Sequence, residues 1–179
     1  MRLIAAGALL AFAAVLSACG TPDPTPALEA RLKTLEDKVA RQPTAPVPGL
    51  GEIMTLTQMR HAKLWFAGEA GNWELAQYEV DELREGFADV VQYHPTHPDV
   101  PRPLADLIAG TVAGPLSQLD RVVKARDAKG FAVAFDALST ACNSCHVGAN
   151  HGFNVIRRPT APPFGNQDFT PAAGSAHRG

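Results

Sequence analysis

Proline decides where this chain can be helical. Its ring locks φ and removes an N–H, so a proline inside a helix kinks or ends it. The chain holds 15 prolines among 179 residues, and they are clumped. Pro22, Pro24, Pro26, Pro43, Pro46 and Pro48 crowd the N-terminal part. Pro95, Pro98, Pro101 and Pro103 stiffen the segment HPTHPDVPRP, and Pro159, Pro162, Pro163 and Pro171 lie in the tail. Long helices are confined to stretches such as 49–94 and 116–158. Apolar residues within them recur at helical spacing. The first predicted helix spans about 50–69, with Ile53, Met54, Thr57, His61, Leu64 and Trp65 on one stripe. Gly68 and Gly71 bracket its end, and Asn72 can cap the next. The second spans about 73–93, with Ala76, Val80, Leu83, Phe87, Val90 and Val91 inward. The third spans about 104–125, with a kink or break expected at Pro115. Asp127 caps the fourth, about 128–149, whose stripe is Phe131, Phe135, Leu138, Cys142 and Cys145. With no strand-type alternation of useful length, the expected fold is all-α, an antiparallel four-helix bundle.

Hydrophobic residues make up 46% and charged residues 19%, which suits a packed soluble core rather than a disordered chain. The formal net charge of −2 gives nucleic-acid binding no electrostatic support. Three cysteines are too few for a disulfide-stapled scaffold. Residues 1–18 read as a signal peptide. Arg2 opens an uncharged run, Leu3 to Leu16, too short for a membrane span but suited to a secretory core. The run ends in Leu16-Ser17-Ala18-Cys19-Gly20, which resembles the bacterial lipobox. That resemblance implies acylation of Cys19 and a lipid anchor in place of a transmembrane helix. Gly20 after the cysteine implies the periplasmic face of the outer membrane rather than the inner membrane. An ordinary signal peptide with a chance cysteine is the alternative.

Residues 19–48 form a tether. GTPDPTPA is an extended Pro-rich spacer. Residues 28–41 read as a short amphipathic helix. Leu28, Leu32, Leu35 and Val39 make an a/d seam of about two heptads. The seam fits either a homo-oligomerisation stalk through residues 28–39 or a solvated helix. QPTAPVP is a second linker.

The chemistry lies near the end of the fourth helix. Cys142-Asn143-Ser144-Cys145-His146 has the C-x-x-C-H spacing of a c-type haem attachment site. Residues i and i+3 share a helix face, so both thiols can reach the two vinyl groups of one porphyrin. His146, i+4 from Cys142, is the expected proximal iron ligand. A redox-active cysteine pair is disfavoured, because a helix C-terminus opposes thiolate. A disulfide between residues three apart would staple almost nothing. A zinc site would need a second Cys/His pair at the usual spacing, and none is present.

On these residues, over about 49–151, the chain resembles the four-helix-bundle c-type cytochromes, the cytochrome c′ group. The tether and the extension 152–179 are outside that family pattern. The resemblance implies one covalently attached haem c and a division by sixth ligand. Some members leave the distal face open to small gases, and others place a first-helix Met on the iron and carry electrons. Met54 and Met59 are the two methionines left after processing, and Met54 lies on the inward stripe, so it is the expected distal ligand. Core filler is its alternative role, and His61 is the bis-His alternative. His94 and His97 are expected in a solvated loop, and His151 is expected to close the helix. Arg60, Arg157 and Arg158 are candidate propionate partners or plain surface charges. Phe153, Val155 and Ile156 are expected to fold back near the haem edge. The expected function is a membrane-tethered periplasmic c-type cytochrome passing single electrons between redox partner proteins. The alternative is a haem-based gas-binding or sensor protein with an open distal site. No catalytic constellation appears, so the chain is expected not to be an enzyme.

Overall fold

The computed structural model describes residues 24–41 and 46–172. The expected signal peptide and the acylation site Cys19 lie outside the described residues. The chain divides into two compact units, 1–46 and 47–179. Among the described residues, the first unit contains one helix, α1 (Thr25–Arg41), which buries none of its residues.

The second unit holds α2 (Leu50–Glu69), α3 (Trp73–Tyr93), α4 (Leu104–Thr111), α5 (Ala113–Lys124) and α6 (Ala128–Gly148). The protein is all-α among the described residues, with no strand. None of these helices is long and apolar enough to cross a membrane. Local signals set the helix ends. Glu52 accepts the Gly49 N–H at 2.9 Å and closes the start of α2. Asn72 accepts the Leu75 N–H at 3.1 Å, and Asp127 accepts those of Lys129 and Gly130 at 3.1 and 3.0 Å. Gly71, at φ +68°, takes the left-handed conformation that turns α2 into α3.

The expected third helix is two helices. The break falls at Val112 rather than at Pro115, for a steric reason. Pro115 has no N–H for the Thr111 carbonyl, and its ring would clash with that carbonyl in a continuous helix. Restarting at Ala113 puts Pro115 in a first turn, where the missing N–H is harmless.

α2 packs along α3, α5 packs on α6, and α3 on α5, while α4 meets α5 and α6. The main core gathers Leu64, Trp65, Leu83, Leu119, Phe131, Phe135 and Leu138. Its aromatic rings interlock: Trp65 lies 4.9 Å from Phe135, and Phe131 contacts Trp65, Trp73 and Phe135 at 6.0 Å each. A second cluster joins Ile53, Val90, Val100, Leu104, Leu107 and Ala149. Met54, Ile108 and Cys145 pack against both. Val91, expected inward, is 37% exposed, because Val90 takes the core position and the next residue is turned about 100° away.

Gly68 is buried because α2 and α6 meet there. A Cβ at this position would fall inside the Phe131 ring. Gly68→Ala should therefore destabilise the protein by about 1–3 kcal/mol despite alanine's better helix propensity. Urea unfolding checks this, and Gly51→Ala, which meets open space, is the matched control.

Candidate functional site

α2, α3, α4 and α6 enclose a cavity of about 280 Å³ together with the loop before α4 and the segment after α6. That is just below the about 300–1,000 Å³ usual for ligand sites. One wall is apolar: Leu83, Phe87 and Val90 from α3, Leu104 and Ile108 from α4, and Leu138 from α6. Cys142, Cys145 and His146 line it from α6, and Met54 and His61 line it from α2. Met59 is half-buried and outside this lining. Helical spacing explains the α6 set, since residues three and four apart share a face.

Cys142 and Cys145 are free thiols. Burial pushes Cys142 from 9.0 to about 12, with Cys145 adding to the rise. Burial also raises Cys145, opposed by a hydrogen bond with Thr111 and by the charge of Arg102. Both are therefore protonated near neutral pH, which does not suit a thiolate nucleophile.

His146 is held from one side. Its Nδ1 lies 2.6 Å from the Asn154 carbonyl oxygen. A carbonyl only accepts, so Nδ1 carries a proton, and in the neutral ring Nε2 is the nitrogen with the lone pair. Asn154 is in turn fixed two residues on. The Asn143 side chain donates to the Ile156 carbonyl at 2.8 Å and accepts its N–H at 2.7 Å. Thus the first variable residue of the motif pins the segment that orients the motif's histidine.

His61 is differently engaged. Its Nε2 is 2.9 Å from Ser139 Oγ, whose own hydroxyl donates to the Phe135 carbonyl at 3.0 Å. Nε2–H therefore donates to Ser139. The ring lies 4.3 Å from Phe135, and burial lowers its pKa from 6.5 to about 4. His61 is neutral in the folded protein near pH 7. An unfolded chain takes up the proton from about pH 6.5 downward, so this contribution is full above pH 6.5 and declines toward pH 4. The difference amounts to about 3 kcal/mol. His61→Gln should remove that slope, visible as a flatter pH dependence of urea unfolding between pH 6.5 and 4 relative to the parent.

Some of the other side chains stand where expected and some do not. His97 is half-buried and lines the cavity, with Nδ1 accepting the Asp99 N–H at 3.3 Å. Its loop is drawn in because Val100 is buried and Asn150 donates to the Asp99 carbonyl at 3.0 Å. His94 donates to the Pro48 carbonyl at 2.8 Å. His151 closes α6 with its N–H on the His146 carbonyl at 2.7 Å, and its side chain also lines the cavity. Ile156 is buried, but Phe153 and Val155 are 82% and 67% exposed. An extended segment puts neighbouring side chains on opposite sides, so seating Ile156 turns Val155 outward. Arg158 forms a bidentate pair with Asp136 at 2.5 and 2.6 Å and stacks 4.5 Å over Trp65. Arg60 pairs with Glu82 at 2.7 Å. Neither Arg60 nor Arg158 lines the cavity, and Arg157 is exposed. Arg102, unremarked in the sequence, is the guanidinium whose charge reaches Cys145.

No protein-family model, curated protein or solved structure matches the chain.

Proposed function

We propose that the chain is a membrane-tethered periplasmic c-type cytochrome of the four-helix-bundle type, carrying single electrons between redox partner proteins. The observation that carries this reading is the grouping of Cys142, Cys145 and His146 on one cavity, with His146 locked in the tautomer whose Nε2 is free. In the proposed bundle, α4 and α5 together make the third member, and α2, α3 and α6 are the others.

The residues present fit one haem c. Two free thiols three residues apart are the partners for two thioether bonds. His146 supplies an imidazole nitrogen, with the backbone hydrogen bond typical of iron-ligating histidines on its other side. Met54 supplies a thioether from α2 on the same cavity. His61 is the weaker distal candidate, because its Nε2–H is held by Ser139. The haem, when bound, supplies a one-electron iron couple. Cys142 and Cys145 would hold it, and the Asn154 carbonyl keeps the His146 ring oriented. Leu83, Phe87 and Leu138 exclude water from the interior. Val147, Phe153 and Val155 are exposed beside the site and form the apolar rim that a redox partner would cover.

The second reading, a gas-binding or sensor haem protein with an open distal face, is favoured by one feature. The α3 wall offers apolar side chains, Leu83, Phe87 and Val90, and no further iron ligand. Absorption spectra of oxidised and reduced protein, made in a host with c-type maturation machinery, discriminate. Low-spin spectra in both states are expected for the electron carrier. A five-coordinate, high-spin spectrum with ready gas binding assigns the protein to the second reading, and protein devoid of haem rejects both.

The membrane tether rests on the Leu16–Gly20 sequence. Full-length protein should fractionate with membranes and incorporate labelled palmitate, and Cys19→Ser should lose the label. Wild-type protein wholly soluble in the periplasm would remove the tether from the proposal.

A further inference from the structure

α1 is an amphipathic helix whose apolar seam is uncovered. Leu28, Leu32, Leu35 and Val39 are 60%, 58%, 57% and 67% exposed. Their spacing of four, three and four puts Leu28 and Leu35 at d and Leu32 and Val39 at a of a heptad repeat. That register assigns the flanking charges without further choice. Glu29 and Glu36 fall at e, and Arg31 and Lys38 fall at g. Alanine, threonine, lysine and aspartate fill the outer positions across residues 30–37.

We propose that α1 pairs with α1 of a second copy of this chain as a parallel, in-register, two-stranded coiled coil. The charges choose both the partner and the direction. In a parallel pair each g residue faces the e residue of the following heptad on the other strand, which sets Arg31 against Glu36 twice by symmetry. In an antiparallel pair e faces e and g faces g, which would oppose glutamate to glutamate and arginine or lysine to its like. Leucine at d with a β-branched valine at one a position suits two strands. The helix is only 17 residues long, and an isolated helix of that length is marginal in water. Burying the seam against a partner supplies the stabilisation it lacks alone. This inference is independent of the haem reading, because it uses no residue beyond α1.

The test uses the full chain as purified, with substitutions confined to exposed residues of α1. Sedimentation equilibrium should give a dimer. Arg31→Glu should weaken dimerisation by about tenfold, since two attractive pairs become repulsive. Adding Glu36→Arg to that variant should restore it. Leu28→Cys and Leu35→Cys, made separately, should each form a self-linked disulfide dimer under mild oxidation, because in register each d residue meets its own counterpart. Asp37→Cys, on the outer face, should not. A monomeric wild type overturns the proposal. So does self-linking at only one or neither of positions 28 and 35, which indicates antiparallel or absent pairing. A trimer at sedimentation equilibrium overturns the two-stranded assignment, and an Arg31→Glu effect that Glu36→Arg fails to reverse overturns the charge register.

Discussion

Replacing Cys142 and Cys145 together by alanine is expected to abolish the covalent haem attachment proposed for this protein. Wild type from a host with maturation machinery should retain haem through denaturing electrophoresis and acid–acetone extraction, because two thioether bonds hold it. The double variant should show no haem stain. Both thiols line the same cavity as His146, so all three side chains face one space. Each single variant should keep one bond and hence a reduced stain. Truncating a half-buried cysteine removes little apolar surface, so the double variant should fold, and circular dichroism should report unchanged helix content. A wild-type protein that gives up all its haem to acid–acetone would overturn the covalent reading, whatever its spectrum.

Met54→Ala is expected to change the electronic state of the proposed haem iron. A thioether stabilises ferrous over ferric iron, so Met/His ligation raises the potential. Wild type should therefore be low-spin in the ferric state and show the weak long-wavelength sulfur-to-iron charge-transfer band. The variant should lose that band and bind carbon monoxide or nitric oxide. Its potential should fall by on the order of 100 mV, within the roughly 0.8 V that axial ligands command. Met59→Ala, altering a residue off the cavity lining, should do none of these. A low-spin spectrum unchanged by Met54→Ala would move the assignment to His61, and then His61→Gln would break ligation as well as the Ser139 hydrogen bond. Met54 packs against both hydrophobic clusters. Its loss therefore opens the junction between them, which is consistent with ligand entry on that side.

The local features of this protein were legible in the sequence. Helix periodicity, the caps at Asn72 and Asp127, and proline placement are short-range effects, and α2 and α3 span Leu50–Glu69 and Trp73–Tyr93 as that reasoning anticipates. The Cys142–His146 spacing is likewise local, because one turn of helix brings its three side chains to one face. What depended on contacts between residues far apart in the chain was not legible. The sequence marks Pro115 as a breaker, and the break falls three residues earlier, at Val112, because the ring acts on the carbonyl of the preceding turn. It shows a histidine in a proline-rich loop, but only the burial of Val100 and the Asn150 bond to Asp99 bring His97 to the cavity. It shows an asparagine between two cysteines, but only the fold-back of the tail lets Asn143 grip Ile156 and set the Asn154 carbonyl on His146. Hydrogen bonds across 8, 13 and 51 residues form only once packing has closed the intervening loops, so tertiary structure alone decides them.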